Sequence, residues 1–148
     1  MIETQLEQDI KTALLAGDKD RVLTLRMLKS AVLSAKVAGG SRDSIMPDAE
    51  VVALFSKEAK KRQESAELYK QGGNDFKAEA ELAEKALIET YLPAQLSEAE
   101  VITVVEAVIA DLGDTAAMGP VIGQVKAKTN GAADGALIAK LVKEKLAK

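Results

Sequence analysis

Histidine, cysteine and tryptophan are absent from this 148-residue chain, and aromatics are scarce, with two phenylalanines and two tyrosines. Each absence removes a class of chemistry. Without imidazole or thiol there is no Ser-His-Asp triad, no Cys-His pair, no thiolate redox centre and none of the usual zinc sites. No disulfide can form, so the composition offers nothing that points to an oxidising compartment. No run approaches the roughly 18 apolar residues of a membrane span. Met1-Ile2-Glu3 opens without the basic and apolar regions of a secretory leader. The expectation is a cytoplasmic protein with no cofactor, no metal ion and no membrane contact.

What remains is the composition of a helical protein. Leu, Ala, Glu and Lys dominate, all strong helix formers. At this length about 68–70% of the unfolded chain's surface can be buried, enough for a core without metal or disulfide. Twenty basic residues against twenty-three acidic ones leave a net charge of −3, which excludes a globally basic nucleic-acid binder but not a local basic patch.

Stops and caps divide the chain. A first helix is predicted from about Glu3 to Ala16, with Leu6, Ile10 and Ala13/Leu14 on one face and Gly17 as its stop. Asp18 caps a second, ending at Gly39-Gly40. Pro47 opens a third that reaches about Gln71 along Val51, Leu54/Phe55, Ala59, Ala66 and Tyr69. Gly72-Gly73 break it, and Asn74 caps a fourth carrying Phe76, Ala80, Ala83, Leu87 and Tyr91. Leu92-Pro93-Ala94-Gln95-Leu96 reads as a hinge. Beyond it Ser97 and Glu100 form a capping box for a fifth helix to about Leu112. A short helix follows Pro120, and Asp134 caps the last, with Leu137, Ile138, Leu141, Val142 and Leu146 apolar. No segment alternates with period two between turn signals, so no strand is predicted. The fold class is all-α: an N-terminal bundle of about four helices (residues 1–94) followed by a small three-helix C-terminal domain (residues 95–148).

Charge is segregated along the chain. Ser97 to Gly119 holds five acids and no base, whereas Pro120 to Lys148 holds six lysines against Asp134 and Glu144. Acids at a helix start and lysines at a helix end also match the helix dipole, so two readings stand, dipole matching and an anion-binding surface. The second helix is apolar almost all round (Val22, Leu23, Leu25, Met27, Leu28, Val32, Leu33), the pattern of a helix at the centre of a bundle. Its narrow charged ridge is Arg26, Lys29 and Lys36, with no acidic neighbour within a turn on that helix. Arg62 falls beside the apolar stripe of the third helix, placed either to reach water or to pair with a carboxylate on the next helix. Glu81 stands at the favourable spacing to pair with Lys85.

Catalytic constellations are not found, and no catalytic residue is assigned. Glu79, Glu81 and Glu84 read as a solvated face, and Ser30 or Ser34 near Lys29 is no more than proximity. The glycines near the end are more distinctive: Met118-Gly119-Pro120-Val121-Ile122-Gly123 before Lys126, and Asn130-Gly131-Ala132-Ala133-Asp134-Gly135 before the last helix. Neither is a phosphate-binding loop of the Walker type, and no strand precedes either for a dinucleotide fold. One reading is tight helix turns, with Gly123 at a close helix crossing and Gly131 at positive φ. The other is an anion site, in which exposed helix N-termini and Lys126, Lys128, Lys140 and Lys143 meet phosphate.

Several stretches together carry a family resemblance: Asp18-Lys19-Asp20-Arg21 with Leu25-Arg26-Met27-Leu28-Lys29-Ser30-Ala31, Lys57 to Ser65, Glu89 to Ser97, and Met118-Gly119 with Gly131-Ala132-Ala133-Asp134-Gly135. In order, they resemble the YqeY-like (GatB/YqeY) family over nearly the whole chain. One departure is Thr129-Asn130-Gly131-Ala132-Ala133, where members carry a basic Lys-Gly-Arg-Ala. The resemblance implies an all-helical protein similar to the tail of the B subunit of the glutamine-dependent aspartyl/glutamyl-tRNA amidotransferase, where the tail contacts tRNA and amide transfer occurs in another domain. The resemblance implies tRNA binding, and the charge pattern offers Arg26, Lys29, Lys36, Lys126, Lys128, Lys140 and Lys143 as its contacts, with no DNA expected. Two alternatives stand beside it. One is an accessory or subunit-like role in tRNA-dependent amidation with the amidotransferase or another translation protein, that is, carbon–nitrogen ligase chemistry with glutamine as amido-N donor. The other is a protein–protein adaptor.

Overall fold

The computed structural model describes residues 1–147, and all regular structure among them is helical. Seven α-helices follow in order: α1 Ile2–Ala16, α2 Lys19–Ala38, α3 Asp48–Gln71, α4 Asp75–Glu89, α5 Glu98–Leu112, α6 Met118–Thr129 and α7 Gly135–Leu146, with a 3-10 turn at Gly113–Thr115. Their ends follow local chemistry. Gly17 closes α1 at φ 72, a conformation that a side chain disfavours, and its N–H donates to the carbonyls of Ala13 and Leu14. Asp18 accepts from the Arg21 amide and Asn74 from the Lys77 amide, while Ser97 and Glu100 complete the capping box of α5. Among the described residues no helix is long and apolar enough to cross a membrane.

The chain divides into two compact units, the first Met1–Leu92 and the second beginning at Pro93. In the first, Leu6, Ile10, Val22, Leu25, Leu28, Val32, Val51, Phe55 and Ile88 form one core from α1 to α4. Phe55 meets the Tyr91 ring edge-on with centroids 5.8 Å apart, and the Tyr91 hydroxyl donates to Asp9 of α1. In the second, Val101, Val105, Val108, Val121, Val125, Ile138, Leu141 and Val142 make a core of β-branched and leucine side chains without an aromatic ring.

Two helix faces differ from expectation. The second helix is not central: it buries the stripe Val22, Leu25, Leu28 and Val32, and it leaves Leu23, Met27, Leu33 and Val37 on the surface. Apolar residues all round α2 reflect an outward apolar face rather than enclosure. In α4, Ala78 and Ile88 are buried, whereas Phe76 is 83% exposed. The predicted stripe through Phe76, Ala80 and Ala83 is rotated because α4 meets α3 through a polar seam. There Arg62 Nε donates to Glu84 at 2.9 Å and Lys85 Nζ to Gln63 at 2.9 Å, which breaks the hydrophobic period.

Candidate nucleic-acid interface

The second unit presents its cations on α6 and α7. Asn130 and Gly131 both take positive φ (46 and 85), and this double left-handed turn reverses the chain between the two helices. The turn is fixed from below: Ala132 is buried, its carbonyl accepts from the Leu96 amide at 2.8 Å, and Gln95 Nε2 donates to the Gly131 carbonyl at 3.3 Å. Thr129 is also buried and donates to the Val125 carbonyl, so the loop residues supply no cation of their own. The next helix then starts at Gly135 with Asp134 in the cap position, but the Asp134 side chain makes no cap bond.

Lys126 lies over this start. Its Cε and Nζ stand 3.5 and 3.6 Å from the position a Cβ on Gly135 would take. Lys126 and the amides of α7 that lack a side-chain cap meet at one corner, beside the exposed Asp134 carboxylate, and both favour an anion there. Lys140 and Lys143 follow on the solvent side of α7, opposite buried Ile138 and Leu141 and with exposed Glu144 among them, and reach about 12 Å from Gly135 at 1.5 Å per residue. Among the described residues neither they nor Lys126 has a carboxylate within 4.0 Å, whereas Lys128 stands 3.7 Å from Asp111 and Lys145 2.9 Å from Glu106.

The family motif is not one loop. Met118 and Gly119 begin α6, while Gly131, Asp134 and Gly135 lie beyond its far end, about 17 Å along the helix. Gly119 and Gly123 have open space where a Cβ would project, so Gly123 marks no close helix crossing.

In the first unit the expected ridge loses two of its three members. Lys36 is buried and donates to Glu3 of α1 at 2.6 Å, so it is a structural cation rather than a phosphate contact. Lys29 is exposed, yet Glu7 of α1 stands 3.6 Å from it. Both acids come from a neighbouring helix, which spacing along α2 does not reveal. Arg26 alone stays exposed and unpaired among the described residues. The Arg62 alternative resolves toward pairing, with Glu58 at 3.3 Å as well as Glu84. Glu81 turns to Arg62 at 3.9 Å, and Lys85 faces Glu89 at 3.7 Å, so the expected Glu81–Lys85 pair is not formed. No acidic cluster of three or more among the described residues converges to hold a metal ion.

The sequence profile of the Yqey-like protein family matches residues 3–146. No curated protein matches the chain.

Proposed function

We propose that this chain, which belongs to the YqeY-like family, is a tRNA-binding helical module whose three-helix unit supplies the phosphate contacts. The observation that carries this reading is Lys126 held over the start of α7, with Lys140 and Lys143 further along that helix and, among the described residues, no carboxylate within 4.0 Å of any of the three. A net charge of −3 gives no general attraction for a polyanion, so binding is local and rests on these few cations. Such an interface reads backbone position and RNA shape more than sequence. Three of the four aromatics are engaged, Phe55 and Tyr91 with each other in the core and Tyr69 under Lys77, which leaves exposed Phe76 in the first unit as the one ring open to stacking, so base stacking contributes little.

On this reading the four-helix body is a scaffold, and any amide transfer belongs to a partner enzyme to which the module presents tRNA. Labelled tRNA titrated into the wild-type and the Lys126→Glu/Lys140→Glu/Lys143→Glu chains tests the proposal. Saturable wild-type binding that the variant loses is expected. Equal binding by both chains contradicts it.

A further inference from the structure

The outward face of α2 continues into a groove with α1. Ala13, Leu14, Val22 and Leu23 give it an apolar floor, Lys19 and Arg26 stand on its rim, and it encloses about 350 Å³. That volume is at the small end of ligand pockets, room for anchoring side chains rather than for a whole cofactor. Leu14 is 50% exposed and Leu23 68%, so apolar surface faces solvent here. The groove lining carries two cations, Lys19 and Arg26, against one acid, Asp18. Asp18, the acid in the groove wall, accepts from the Arg21 amide as the cap of α2, and Lys19 and Arg26 have no carboxylate within 4.0 Å among the described residues.

We propose that this groove docks an amphipathic helix from an acidic partner protein, with leucine-like anchors on the floor and carboxylates facing Lys19 and Arg26. Two features select this occupant. A phosphate backbone has nothing to place against Leu14, Val22 and Leu23, so the floor disfavours nucleic acid. A second copy meeting this face symmetrically sets Lys19 and Arg26 near their own counterparts, and like charges oppose that contact. A helix carrying Glu beside its apolar stripe satisfies both floor and rim, the usual geometry of helix-in-groove recognition.

Two synthetic 16-residue amphipathic peptides with one leucine stripe, flanked by Glu in one and by Lys in the other, test this against the isotope-labelled full chain by NMR. The Glu peptide is expected to shift the amides of Ala13, Leu14, Val22, Leu23 and Arg26, with the Lys peptide about tenfold weaker once attraction is replaced by repulsion at two rim sites. Lys19→Glu/Arg26→Glu is expected to reverse that preference. Leu23→Asp, a change at a surface position, is expected to abolish peptide binding and to leave tRNA binding intact, so this proposal and the tRNA reading fail separately. Equal binding of the two peptides, or no binding of either, overturns the proposal. So do shifts at this face on concentrating the chain alone, which mark a second copy, and tighter shifts with phosphatidylglycerol vesicles, which mark a membrane surface.

Discussion

Lys36 Nζ lies 2.6 Å from Glu3 Oε1, and the two side chains are only 10% and 17% exposed. The other Glu3 oxygen accepts from the Met46 amide at 2.7 Å. One carboxylate therefore ties together the start of α1, the end of α2 and the loop leading to α3. Removing the cation leaves Glu3 covered with a single donor, so Lys36→Ala is expected to lower stability by about 1–3 kcal/mol. Denaturant unfolding measures that loss. The same variant is expected to bind tRNA as the wild type does, because Lys36 is not on the surface.

Acid should weaken this joint. Burial pushes the Glu3 carboxyl up, but the bonds from Lys36 and Met46 outweigh it and hold the group below the ordinary carboxylate range. A carboxyl whose folded pKa is depressed contributes stability above its unfolded pKa, and that contribution is lost as pH falls through the folded value. Unfolding midpoints of the wild type are expected to fall below about pH 5, and those of Glu3→Gln to fall less steeply. Parallel acid profiles would contradict the assignment.

Caps and stops were readable because they are local: Gly17, Asp18, Asn74 and the Ser97/Glu100 box each act within about a turn of the residue that reveals them. Facing was harder. The outward apolar residues of α2 and the polar seam of α4 both break the link between hydrophobic period and burial. The partners of the cations were hidden for another reason. Glu3 is 33 residues from Lys36, and Glu84 is 22 from Arg62, so only the packed helices bring them together. Lys126 was among the expected phosphate contacts, but its place over Gly135 depends on the double left-handed turn at Asn130-Gly131.

Arg62, only 12% exposed, joins α3 to α4 through Glu84 and also pairs with Glu58 on its own helix. Losing it leaves three partly covered carboxylates, Glu58, Glu81 and Glu84, without their shared cation, and Arg62→Ala is expected to cost about 2–4 kcal/mol. Lysine at this position has no planar fork with which to reach acids on two helices. Arg62→Lys is therefore expected to recover less than half of the loss in the same unfolding measurement.

Tyr91 should ionise late. Burial raises its pKa well above the ordinary tyrosine value, and the hydrogen bond and negative charge of Asp9 raise it further, against a smaller opposing effect of Arg21. In a Tyr69→Phe background, tyrosinate absorbance reports Tyr91 alone. Its midpoint is expected above the ordinary tyrosine range and lower when Asp9→Asn is added. A raised folded pKa favours the fold while the phenol stays neutral, so this contribution is lost only as the solution becomes strongly alkaline.

The most direct test of the central claim is the salt dependence of tRNA affinity. Three phosphate contacts, from Lys126, Lys140 and Lys143, predict a log–log slope of about −2.5 and a loss of about thirtyfold between 50 and 200 mM salt. The Lys126→Glu/Lys140→Glu/Lys143→Glu chain is expected to bind too weakly to measure over the same range. An affinity that does not change with salt, or a slope that the triple variant leaves intact, would contradict a phosphate-led interface on α6 and α7.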